Sequence, residues 1–155
     1  MLALDIATKT GYVYDLGNNL YIGSVEGTPN FQYDFLESIP HNNKIVIEDL
    51  IAFNSPNPRT LAILAMRFGY LKFRFHEENI DVLFYTPSQW RKYLNIKNSK
   101  AGTRELQKMF SELFKMKINL DETDALGLWL CANNLQLADL SSYNINLLGP
   151  HHAVS

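Results

Sequence analysis

The hydrophobic period of this chain changes at Pro58, and that change restricts it to a layered α/β architecture. Before Pro58, short apolar, β-branched and aromatic runs are broken by Gly and Asn. Leu2-Ala3-Leu4-Asp5-Ile6 comes first, Tyr12-Val13-Tyr14 follows Thr10-Gly11, and Leu20 to Val25 follows a turn built on Gly17-Asn18. Runs of this kind favour an antiparallel meander of three strands. A short amphipathic helix is expected over residues 31–38. After Pro40, residues 44–48 form a continuous apolar run of the buried-strand type. Beyond Pro58, Leu61, Leu64, Phe68, Leu71 and Phe75 recur at helical spacing, with a second stripe of Ile63, Met66, Tyr70 and Phe73 beside it. One apolar face covers a sheet, and the second needs a partner or a place in the core. A strand over 80–85 and helices over 87–94, 103–115 and 121–137 complete the pattern. The expected fold is a mixed five-stranded sheet flanked by helices over residues 1–140, with 141–155 a C-terminal tail.

Composition narrows the setting. With 155 residues, 46% of them hydrophobic, the chain has apolar material for one core. A net charge of −2 does not announce a nucleic-acid binder. The single cysteine, Cys131, rules out an internal disulfide framework and lies in an apolar run, so a buried, unreactive thiol in a reducing compartment is expected. No apolar run approaches the roughly 18 residues that span a membrane. The first residues lack a basic segment ahead of an apolar one, the mark of a secretory leader. The expectation is a cytoplasmic protein without membrane contact.

Four carboxylates carry the chemistry. Asp5 closes the first apolar strand, and its bland alternative is a turn aspartate. Glu48 follows three consecutive β-branched residues at the edge of a core, where an unpaired charge is costly, so it has either a functional role or a structural ion pair. Asp49 points to the other strand face. Asp121 and Asp124 sit three apart at a helix start and share one helix face. Asp121 also suits an N-cap, with Asp124 near the positive end of the dipole, and that role is compatible with metal binding. Carboxylates gathered without cationic partners repel one another, and a hard divalent cation is the usual relief. Two such cations serve phosphodiester hydrolysis, so the residues point to a metal-dependent nuclease. The four histidines lack ligand spacing, and oxygen donors suit Mg²⁺ or Mn²⁺.

These residues resemble the RuvC family of Holliday-junction resolvases, within the ribonuclease H-like fold, and in particular its compact bacteriophage members such as those of lactococcal phages. Asp5 with Thr10-Gly11-Tyr12 is similar to the first-strand motif, and Ile47-Glu48 to the second acid ahead of a long helix. Tyr85-Thr86-Pro87 and Gln89-Trp90-Arg91-Lys92 resemble the segment that supplies a basic residue. Asp121-x-x-Asp124-Ala125-Leu126 resembles the closing motif. The likeness covers about residues 1–135. The family's Asp-Pro-Gly is replaced by Asp5-Ile6-Ala7, and its Gly-x-Gly and lysine segment by residues 96–104, where Lys97, Lys100 and Arg104 all compete to be the phosphate-binding cation. The resemblance implies that Asp5, Glu48, Asp121 and Asp124 are catalytic and hold two Mg²⁺, with Mn²⁺ able to substitute. It also implies nicks with 5′-phosphate and 3′-hydroxyl ends in branched DNA, and a homodimer that contacts its partner through Met66, Tyr70 and Phe73.

Residues 91–117 carry eight basic side chains against two acidic ones, a net of +6 within a chain of −2. Arg91, Lys92, Lys97, Lys100, Arg104 and Lys108 are the candidate DNA-binding residues, either as a phosphate-tracking ridge or as an ordinary solvated helix face. Phe53, in the loop after Glu48, either stacks on an unpaired base or plugs the core. Two other readings stay open: a junction-binding scaffold without cleavage, and a ribonuclease H-like nuclease acting on RNA–DNA hybrids.

Overall fold

A computed structural model of the chain describes residues 1–49 and 57–152. Strands β1 (Leu2–Asp5), β2 (Lys9–Leu16) and β3 (Asn19–Glu26) form the antiparallel meander. The β2–β3 turn passes through Gly17, whose φ of 59° is the left-handed conformation that glycine accepts without steric cost. Then come α1 (Pro29–Glu37), β4 (Lys44–Glu48), α2 (Pro58–Glu77), β5 (Asp81–Tyr85), α3 (Pro87–Tyr93), α4 (Lys100–Phe114) and α5 (Leu120–Ala132). A 3-10 turn (Leu137–Ser142) leads into a last strand, β6 (Asn144–His152). The sheet order is β5-β4-β1-β2-β3-β6, with β1, β4 and β5 mutually parallel and β6 parallel to β3.

The period-2 alternation of the strands divides the core in two. Leu2, Leu4, Tyr12, Ile45 and Ile47 pack against α1 and α2 through Tyr33, Leu36, Leu71 and Phe75. Ala3, Val13, Leu20, Ile22 and Val46 face the other way, onto Trp90 and the helices α4 and α5. Helix α5 is apolar nearly all round and buried from Ala125 to Cys131, as suits a helix enclosed by sheet and neighbouring helices. Cys131 is free and buried there, and burial pushes its thiol pKa up. Among the described residues, no helix is long and apolar enough to cross a membrane.

The structure corrects the sequence reading at three places. The sheet has six strands, because residues 144–152 of the expected tail pair with the whole of β3. Gly149-Pro150 disguises this strand. Proline, which lacks an N–H, is tolerated at an edge, and β6 is an edge. Helix α4 starts at Lys100 rather than 103, capped by Ser99 Oγ, with Gly102 seated against the carbonyl of Lys97 where a Cβ would collide. Helix α5 is capped by Asn119, not Asp121. Asn119 Oδ1 accepts from the Glu122 N–H at 2.8 Å, and Glu122 Oε2 accepts from the Asn119 N–H at 3.0 Å. This reciprocal capping box satisfies free amides of the first turn without using Asp121 or Asp124 as the cap.

β6 contributes Ile145 and Leu147 to the α5-side core. Removing residues 144–155 should therefore lower unfolding free energy by at least about 2 kcal/mol and expose β3 as an edge prone to association. Urea denaturation and sedimentation of the truncated chain check this.

Candidate active site

Strand alternation sends Asp5 and Glu48 to the same side as Ala3 and Val46, towards α5. Leu4 pairs with Ile47, so the two acids end adjacent parallel strands, the position where open α/β sheets form crevices. Asp5 is in register with Gly11 on its other side. Gly11 lies directly under the start of α5, and a Cβ there would overlap the Asp121 carbonyl. Only glycine permits this approach. It brings the first turn of α5, with Asp121 and Asp124, over the end of β1. Asp5 thus comes within electrostatic reach of the other three sequence-predicted acids, and Asp124 acts on Glu48 as well.

Burial is the main cause of the unusual acidity of this group, and like charge is the next. Burial pushes the Asp5 carboxyl well above the usual carboxylate range, and Glu48, Asp124 and Asp121 push it further. Glu48 is raised to about 7, chiefly by burial and then by Asp124. Asp124 is raised to about 6, again chiefly by burial. Asp121 is raised by burial, with Glu122 and Glu26 adding to the effect and Lys9 opposing it.

Each of two acids is held by a neutral donor. The indole N–H of fully buried Trp90 donates to Glu48 Oε2 at 2.6 Å. Thr103 Oγ1 donates to Asp124 Oδ1 at 2.8 Å and accepts from Arg91 Nη2 at 3.1 Å. Arg91 also donates to Asn98 Oδ1 at 3.3 Å, and its charge lowers the pKa of Asp5, Glu48 and Asp124. Gly127 makes room for Trp90, whose ring a Cβ would approach to 2.6 Å. The sequence reading missed Trp90 and Thr103 as holders of the acids. Their only signal is that each is a polar donor inside a segment already singled out.

Of the basic candidates, Arg91 alone is half-buried and bonded within the site, while Lys92, Lys97, Lys100, Arg104 and Lys108 are solvent-exposed. Lys100, Arg104 and Lys108 line the outer side of α4, opposite buried Leu106 and Phe110. Phe53 lies outside the described residues. On α2, the first stripe is buried at Leu71 and Phe75, whereas Ile63, Met66 and Phe73 of the second are 47%, 75% and 58% exposed. Tyr70 is half-buried, its hydroxyl donating to Asn30 Oδ1 at 2.9 Å and accepting from Arg74 at 2.7 Å.

The donor set is all carboxylate oxygen, the chemistry of a hard divalent cation, and its mutual repulsion is what such a cation would relieve. In type and burial the residues fit that group. Yet among the described residues, no three His, Cys, Asp or Glu side chains stand in a ligating arrangement. Repulsion, together with the separate anchors on Trp90 and Thr103, accounts for carboxylates that are neighbours but not a closed cage.

The raised pKa values have a stability consequence in metal-free protein. Between pH 4.5 and about 7 the folded state keeps a proton on Glu48 that the unfolded state has lost. Asp124 behaves likewise between pH 3.8 and about 6. Stability should therefore fall as pH rises through these windows and level off above them. The Glu48 part is on the order of 3 kcal/mol. Urea denaturation in EDTA from pH 4.5 to 8 checks the slope, and Glu48→Gln should make it shallower, most of all above pH 6.

No protein-family model matches the chain, and no match is found among curated proteins. Solved structures are similar in fold. Thermus thermophilus RuvC has a TM-score of 0.60 at 15% identity, the match covering 84% of this chain and 92% of that one. T. thermophilus RuvC in complex with a Holliday junction substrate has a TM-score of 0.59 at 15% identity, covering 84% and 91%. The mixed sheet flanked by helices is thus a ribonuclease H-like fold of the RuvC type.

Proposed function

We propose that this protein is a metal-dependent endonuclease that nicks branched DNA, Holliday junctions first and forks or three-way junctions as further substrates, leaving 5′-phosphate and 3′-hydroxyl ends. What supports this reading above all is the gathering of Asp5, Glu48, Asp121 and Asp124 at the ends of parallel strands, each with a raised pKa. The RuvC-type fold agrees with it, and the compact phage-encoded resolvases are the kin we propose.

In this reading Asp5, Glu48, Asp121 and Asp124 would together hold two Mg²⁺ or Mn²⁺ ions through carboxylate oxygens. When bound, the two cations supply Lewis acidity at the attacking and leaving oxygens of an in-line displacement. The protein's own part is orientation. Trp90 fixes Glu48, Thr103 fixes Asp124, and Arg91 braces Thr103 while offering positive charge to a phosphate. The exposed cations of α3, α4 and the turn between them would track backbone phosphates without reading bases.

Asp5→Asn or Asp124→Asn should reduce nicking of a labelled four-way junction to background while leaving its binding within about threefold. Burial disfavours the charged form of both carboxyls, so a neutral amide in either place should not destabilise the metal-free fold. Near-normal turnover in either variant would sink the metal assignment. Millimolar Mg²⁺ should raise the Tm of the parent protein and leave that of Asp5→Asn nearly unchanged.

One observation favours a second reading, a junction-binding scaffold without cleavage: no closed ligand set among the described residues. Tight junction binding with no nicking in either Mg²⁺ or Mn²⁺ would select it. Under both readings the exposed stripe of Ile63, Met66 and Phe73 on α2 supports a homodimer, whose two sites would face two strands of a junction. Met66→Asp should shift the protein towards monomer in sedimentation without changing its circular dichroism.

A further inference from the structure

Arg91 is not the sole cation acting on the carboxylates. Lys9, at the start of β2, stands two residues before Gly11, the position against which the Asp121 backbone is seated. Strand register explains how it gets there. Asp5 pairs with Gly11, and Lys9, two residues before Gly11, falls on the same α5-facing side. Lys9 pairs with Glu26, which in turn pairs with His152, so one charged row crosses β2, β3 and β6 beside the first turn of α5.

Within that row the charges are unequally matched. Glu26 Oε2 lies 3.3 Å from His152 Nδ1. The ammonium of half-buried Lys9 makes neither an ion pair nor a hydrogen bond among the described residues. A half-buried lysine whose ammonium has no partner has its donors free for an oxyanion. Arg91 reaches the carboxylates from the β4 side, where its neighbour Trp90 holds Glu48 and Arg91 itself donates to Thr103. The acids therefore lie between two cations. A phosphodiester approaching four carboxylates is repelled, and cations on both sides offset that repulsion where the backbone enters and leaves.

We propose that Lys9 is a phosphate-binding residue that, with Arg91 on the far flank, holds a nucleic-acid backbone across the carboxylate cluster by a phosphate next to the one cut. This rests on the nuclease reading above. The contact is to backbone, so it acts equally on every base sequence.

The test measures binding of a labelled four-way junction in EDTA, across a salt series, by the parent protein, Lys9→Gln and Lys9→Arg. Thermal unfolding of all three and nicking in Mg²⁺ accompany it. Lys9→Gln should bind roughly five- to tenfold more weakly near 0.1 M salt, and the slope of log K against log salt should be shallower by about one. Lys9→Arg should restore both. If the parent protein binds and nicks while Lys9→Gln keeps its affinity and slope, the Lys9 assignment falls and the nuclease reading stands. A lowered Tm in Lys9→Gln with an unaltered slope reduces Lys9 to neutralising Asp121 and overturns the proposal equally. If the parent protein neither binds nor nicks branched DNA, both readings fall together.

Discussion

The close seat of α5 on the sheet organises both the core and the candidate site. Gly11 has no Cβ, so the Asp121 backbone rests directly against β2, next to the strand that ends in Asp5. From that point the helix runs through the α5-side core with Ala125, Leu126, Leu128, Trp129 and Leu130 buried. A second glycine, Gly127, accepts the Trp90 ring, and Trp90 in turn orients Glu48. Two missing methyl groups thus set the depth at which the helix lies and the direction in which two acids point.

That packing has an electrostatic cost. Four carboxylates share a poorly solvated crevice, and desolvation is the leading cause of the raised pKa of each. The fold limits the cost with a few donors rather than with ion pairs. Trp90 and Thr103 are neutral, Arg91 braces one of them, and the positive end of the α5 dipole lies beside Asp121. A site left short of positive charge in this way is poised for a cation or a proton, and that imbalance distinguishes it from a structural salt-bridge cluster.

The capping of α5 illustrates how neighbouring residues divide labour. Asn119 and Glu122 satisfy each other's backbone amides, and Glu122 turns towards Ser24 on the sheet at 3.4 Å. Asp121 and Asp124, on the adjoining helix face, are freed from the capping role that sequence spacing offered them. Asn119 precedes the acidic run by two residues, and Asn-x-x-Glu is itself a capping pattern, so the signal was present but in competition with a second one.

The chain's local pattern by itself determined the meander, the change to helical period at Pro58, the strand ending in Glu48 and the four acids, because alternation and helical spacing are short-range properties. Tertiary structure alone decided the sixth strand, since Asn144-Ile145-Asn146-Leu147 becomes a strand only by having β3 to pair with. It also decided that Arg91 and Lys9, rather than Lys97 of the α3–α4 turn, are the cations acting on the acids. Charge counts along a sequence reveal how many cations a segment carries. Which of them a carboxylate feels depends on distances across the sheet, and those arise only when strands from residues 5, 9 and 48 and a helix from residue 120 are packed together.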